Sequence, residues 1–183
     1  MKTILFSCLA VVAASSACLA QGQASNNITV VAYNYGNPST AVCTFQARSI
    51  MNMITQTVKI GAQSSGAAAG KATLGSLTIV KNVDACSVLL LTQTVSGTPF
   101  SRVIITVNGP AESTTPLLLI RLTLAAISSI TESDSEGFQV AEKVTIEAGT
   151  YQIQDQVTGL CRGWNFVKNI SLDSDCSSLV VEQ

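Results

Sequence analysis

The sequence predicts a mainly β domain with one short helix, on three observations. Val, Ile and Thr recur through a chain of 183 residues that is 47% hydrophobic and only 11% charged, and β-branched side chains suit a pleated, half-buried surface. Several segments alternate apolar and polar residues with the period of a strand. One segment, from Asp84 to Gly97, does not alternate and carries helix signals at both ends. A chain of this length and apolar content buries one sizeable core, so a single domain is expected.

The first twenty residues read as a signal peptide. Lys2 supplies a positive n-region, Ile4 to Ala14 a short apolar run, and Cys18-Leu19-Ala20 a small-x-small cleavage site before Gln21. Acylation of Cys18 is disfavoured, because Ser15 stands where a lipoprotein signal needs a large aliphatic residue. No later stretch reaches the roughly 18 uninterrupted apolar residues of a membrane-spanning helix. Residues 21–183 are therefore expected to form one exported domain, secreted and without a membrane span.

Removing the leader leaves nine basic and eleven acidic residues and no basic cluster, so nucleic acid and anionic lipid are not expected partners. It also leaves four cysteines, Cys43, Cys86, Cys161 and Cys176. In an exported protein these read as two disulfides with three possible pairings. The spacing of Cys161 and Cys176 around Trp164 favours that pair, and Cys43–Cys86 follows by elimination. A metal site is not expected, since the chain has no CxxC spacing and no histidine. Asn27-Ile28-Thr29 and Asn169-Ile170-Ser171 are glycosylation sequons, used only in a eukaryotic host.

Along the chain, Asn27 to Tyr35 alternates as a first strand and Asn37-Pro38-Ser39-Thr40 forms its turn. Met51 to Ile60 is a second strand. "GAQSSGAAAGK", Gly61 to Lys71, is a long loop of small residues with no hydrophobic cluster of its own. Gly61, Gln63, Ser64, Ser65, Gly66, Gly70 and Lys71 let its backbone approach a neighbouring chain closely. Leu77 to Val80 is a strand. Asp84 then caps a helix of about residues 83–95 that stops at Gly97, with Leu89, Leu90 and Thr94 on adjoining faces.

Phe100 to Asn108 is a strand with Val103, Ile105 and Val107 on one face. Pro116 opens a long one, in which the unbroken "LLLIRLTLAAI" needs cover on both faces, or on one face and at an interface. Thr131 to Gly137 is an acidic loop without EF-hand spacing, read as a solvated turn. Phe138 to Gln154 is a further strand or hairpin.

Catalytic chemistry is not indicated. Without histidine there is no Ser-His or Cys-His nucleophile. Glu142 and Glu147 have opposite parity on one strand and face opposite sides. "GAAAGK" lacks the phosphate-loop spacing and is followed by Ala72. The chain is therefore read as a non-enzyme without a cofactor.

The order of these features resembles the Hcp family, the haemolysin-coregulated tube proteins of type VI secretion. The matching positions are Gly70-Lys71, Lys81, Asp84, Gly97, Ser128-Ser129, Gly137 and Glu142. The first turn "YGNPST" and the tail "GWNFVKN", with Asn165 where Asp is usual, are similar too. The resemblance spans about Ile28 to Asn169. It implies a small closed or split β-barrel of antiparallel strands flanked by the helix, no catalytic residues, and a hexameric ring of identical chains in which the small-residue loop reaches the next protomer. Protein cargo is the associated partner class. Two features set this chain apart from the type VI tube proteins: the leader with its exported cysteines, and Val88 where many members have Pro. A monomeric secreted module is the alternative expectation, binding a glycan or a host or competitor surface through loops such as Thr131 to Gly137 and through Tyr33, Tyr35, Tyr151 or Trp164.

Overall fold

The chain turns first at Asn37–Thr40, where the Thr40 amide donates to the Asn37 carbonyl and the Asn34 amide to the Thr40 carbonyl. This joins β1 (Ile28–Asn34) to β2 (Ala41–Met51) as an antiparallel hairpin. The structure, a computed structural model, describes residues 28–59, 68–109, 116–133 and 140–172. The predicted leader, Asn27, Gly61 to Gly66, Gly137 and Cys176 lie outside these residues.

β3 (Ile54–Lys59) and β4 (Ala68–Leu74) pair with each other in a two-stranded sheet of their own. Here the sequence reading needs correction. The run expected as one strand from Met51 to Ile60 is the end of β2, a break at residues 52–53, and β3. The predicted loop is shorter at its far end, because Gly70 and Lys71 belong to β4, which returns along β3 from Lys59 opposite Ala68 to Ile54 opposite Leu74. β2 itself was not anticipated over most of its length.

β5 (Leu77–Asn82) points Leu77, Ile79 and Lys81 inward. It leads into α1 (Ala85–Ser96), capped by Asp84 and ended by Gly97, whose φ of 64° lies in the left-handed region that glycine tolerates. The predicted cap and stop are both where the sequence puts them. β6 (Phe100–Asn108), β7 (Pro116–Ser133), β8 (Ala141–Asp155), β9 (Cys161–Asn165) and the short β10 (Ile170–Ser171) complete the chain.

The large sheet runs β10-β9-β8-β5-β2-β1-β6-β7, and an additional β7–β8 ladder closes six of its strands into an antiparallel barrel. Inside it lie Val30, Phe45, Leu77, Ile79, Val103, Ile105, Leu122 and Val144. The apolar run of β7 is covered on both faces only in part, Leu117 and Leu124 remaining exposed. Ile120 and Leu122 enter the barrel, while Leu119 meets Cys161 and Ile104 in a second, outer cluster. Beyond Ala125 the strand is mostly uncovered, and Thr131 to Ser133, expected in the acidic loop, continue its pairing with β8.

Within β7, Leu124 takes a φ of 52°. Its side chain lies over Gly149, where a Cβ would meet Leu124 atoms at 2.9 and 3.0 Å and Val167 at 3.1 Å. A side chain at Gly149 would crowd Leu124 and Val167 and force them to shift. The β8–β9 turn is held by Asp155, whose carboxylate accepts from the Val157 and Thr158 amides and the Thr158 hydroxyl. These bonds hold its carboxyl below the usual range.

α1 turns Cys86, Ser87 and Leu90 onto the barrel and leaves Val88, Leu91 and Val95 exposed. Leu90 is 2% exposed within the core cluster. Leu90→Asp puts an unpaired charge against apolar surface and is expected to cost roughly 3–5 kcal/mol. Val95→Asp, at a site 77% exposed, is expected to stay within about 0.5 kcal/mol of the parent. Thermal melting of the two variants checks both, and equal melting temperatures would place Leu90 at the surface.

Candidate functional site

Three features carry chemistry: a buried ionic cluster under the helix, a pair of sulfurs beside it, and the hairpin that leaves the barrel. The first begins at Lys81, which takes the last inward position of β5 and has no exposure at all. A charge there is tolerable only if its donors are all matched. Its Nζ donates to the Asn82 carbonyl at 2.8 Å, Asp84 Oδ1 at 2.8 Å, Ser87 Oγ at 2.9 Å and Glu142 Oε2 at 3.0 Å. The ammonium also lies 5.2 Å from the centre of the Phe45 ring.

Each partner has a second task. Asp84 Oδ1 accepts from the Cys86 amide and so caps the helix. The Ser87 hydroxyl donates to Glu142 Oε2 at 2.7 Å and accepts from the Asp84 amide at 3.1 Å, completing the capping box. Glu142 is the cross-strand partner of Lys81 in the β5–β8 ladder and is 1% exposed. Lys81, Asp84 and Glu142, scattered in the sequence, thus meet at one point. Ser87, which joins them, carries no signal of its own in the sequence. Glu147 is exposed on the other face of β8, as its parity predicts.

Next to this cluster Cys86 of α1 meets β2 beside Cys43: its Sγ lies 3.3 Å from the Thr44 carbonyl, to which it donates, and both cysteines belong to the main core cluster. The structure holds both as free, buried thiols at the place where the sequence leads one to expect a disulfide. Burial first, and then the contact with Cys86, pushes the Cys43 thiol far above its ordinary range. Cys161, at the start of β9, is disulfide-bonded.

The hairpin β3–β4 forms a sheet of its own beside the barrel, with Ala72 and Leu74 of β4 packed against the core cluster. At its base Met51, Met53 and Ile54 are exposed, and Gly75 donates its amide to the Met53 carbonyl at 2.7 Å, with Met53 atoms so near that a side chain at Gly75 would crowd them. Between the hairpin and β8–β9 lies an open groove of about 470 Å³ lined by Ile54, Gln56, Tyr151, Ile153, Trp164 and Phe166. Of the aromatic residues named from the sequence, Tyr151 is buried and its hydroxyl pushed up by that burial. Trp164 is half-buried against the core, and Tyr33 is covered by the Arg102 guanidinium 4.1 Å above its ring. Tyr35 alone of the four is exposed. Asn169 sits exposed in the β9–β10 turn with φ 57°. No helix among the described residues is long and apolar enough to cross a membrane.

Replacing Lys81 by Met leaves the Glu142 carboxylate buried with the Ser87 hydroxyl as its remaining donor. The single variant is expected to lose about 3–5 kcal/mol, and Lys81→Met/Glu142→Leu to recover most of that loss, because the double change removes both charges. Denaturant unfolding of the two variants measures this. Equal losses would mean that shape at the β5–β8 junction matters and charge pairing does not.

Residues 23–154 match the family model described as type VI secretion system effector, Hcp. No curated protein matches. Solved structures do: a type six secretion system protein superposes with a TM-score of 0.65 at 17% identity, covering 79% of this chain and 98% of that one. A doubly substituted Hcp1 from E. coli EAEC 042 gives 0.65 at 7% identity, covering 76% and 99%. Secreted protein Hcp3 from Pseudomonas aeruginosa gives 0.56 at 15% identity, covering 75% and 96%. The closed barrel with its flanking helix is the fold of these Hcp structures, the family model covers most of the chain, and the protein belongs to the Hcp family.

Proposed function

We propose that the protein is an exported, ring-forming Hcp-like barrel with a structural or carrier role, and not an enzyme. The observation that carries this reading is the β3–β4 hairpin. It contributes nothing to barrel closure, exposes Met51, Met53 and Ile54 at its base, and leads into the run of small residues that suits close approach to another chain. A second apolar surface, Val88, Leu91 and Val95, lies on the helix. Contacts between unlike surfaces of identical chains are heterologous, and a heterologous contact with the right rotation closes into a ring. One fold neighbour is the anti-feeding prophage baseplate, solved with six-fold symmetry imposed, at a TM-score of 0.51 and 12% identity. A hexamer is the ring size proposed here. Protein cargo in its lumen is the corresponding partner.

Export rests on the leader at residues 1–20 and on the disulfide at Cys161, for which Cys176 is the proposed partner. In a eukaryotic host, glycosylation is proposed at Asn27 and Asn169.

Sedimentation velocity on the purified protein tests assembly. A single species several times the monomer mass is expected for the parent. Removing Gln63 to Gly66, outside the described ladder of β3 and β4, is expected to leave the circular dichroism spectrum unchanged and to shift the protein to monomer. A parent that is monomeric at high micromolar concentration, or a shortened form that still assembles, overturns the ring reading in favour of a monomeric binding module.

A further inference from the structure

Cys43 and Cys86 are the two free thiols among the described residues, 43 positions apart in the chain and both buried in the main core cluster. Cys43 sits on β2, a barrel strand. Cys86 sits in the first turn of α1, two residues after the cap that Lys81 holds. A bond between them would tie the helix to the wall it packs on. We propose that this pair is a redox latch set while the chain folds, closed into a disulfide stapling α1 to β2 where folding occurs under oxidising conditions and sealed as two thiols where it does not.

The chemistry is thiol–disulfide exchange. One thiolate attacks an external disulfide and forms a mixed disulfide, releasing one thiol. The second thiolate attacks the protein sulfur of that mixed disulfide, forms the Cys43–Cys86 bond and releases the second thiol. Two electrons and two protons pass from the pair to the oxidant, a small-molecule or protein disulfide. Both steps need a thiolate and an approach path. In the folded protein neither is provided: both residues are at least nine-tenths buried, Cys86 is engaged with the Thr44 carbonyl, and desolvation keeps Cys43 protonated. Exchange therefore belongs to states in which α1 has not docked or has come away. The folded protein keeps a record of the compartment in which it folded.

This inference does not rest on ring formation, nor on export, since refolding decides it in the test tube and assembly is read separately. The reduced, denatured full chain is refolded in parallel under a mixed reduced and oxidised glutathione buffer and under excess dithiothreitol. A combined tryptic and chymotryptic digest is then mapped by mass. A Cys43–Cys86 cross-linked peptide is expected only after oxidative refolding. Free Cys43 and Cys86 under those conditions, or their pairing with other cysteines, would overturn the latch.

The chain folded in dithiothreitol is next transferred to oxidised glutathione. It is expected to keep both thiols in native buffer and to form the bond when urea is raised toward the unfolding midpoint. Rapid bond formation without urea would refute the sealing. Oxidised parent is expected to melt roughly 10 °C above reduced parent, and Cys43→Ala/Cys86→Ala to lose most of that difference while keeping whatever belongs to Cys161. An undiminished difference in the double variant would show that the latch contributes nothing. The mapping uses the unmodified chain and decides the matter even if the variant does not fold.

Discussion

A single buried ammonium organises the junction of barrel and helix. Lys81 ends β5 facing inward, where a strand of this pattern would ordinarily place another aliphatic residue, and the cost of desolvating it is offset by four acceptors held within 3.0 Å. Because three of those acceptors come from β8, from the helix cap and from the first turn of α1, the charge is fully satisfied only when all three are in place. The helix is thereby aimed as well as started. Its docking then brings Leu90 to the core and Cys86 to Cys43, so the greasy contact and the sulfur contact both descend from the ionic one.

Legibility in the sequence followed the range of the interactions. The helix was readable because its determinants are local: Asp84 accepts from an amide two residues on, and Gly97 supplies a left-handed stop. β6 was readable to the residue, since Val103 and Ile105 alternate cleanly into the core. β2 was not, for two physical reasons. Its inward positions Cys43, Phe45 and Ala47 offer only one large hydrophobe, and a register shift between Ala47 and Ser49 flips the parity so that Ile50 faces the side Ala47 had faced. A pattern with period two cannot be counted through such a shift.

At the site, Lys81, Asp84 and Glu142 could be singled out by their order in the chain, yet nothing in the sequence alone could say that residues 61 positions apart share one hydrogen-bonded centre. That requires knowing that β5 and β8 are neighbours. Ser87 escaped notice for the same reason, since its importance comes from its three partners and not from its type. The small-residue loop was half legible. Its composition marked an unusual segment, but Gly70 and Lys71 are paired in β4 because backbone ladders can recruit small residues when a partner strand is already beside them.

β2 and β5 are hydrogen-bonded neighbours in the barrel, and the β3–β4 hairpin is spliced between them. Cutting it out would leave a two-strand connection with both ladders intact, and lengthening it costs only the slow logarithmic entropy of a larger loop. Selection can therefore vary the far end of the hairpin while the barrel, and Ala72 and Leu74 packed against it, stay under a stricter constraint. The fold separates the part that must be kept from the part that is free to invent.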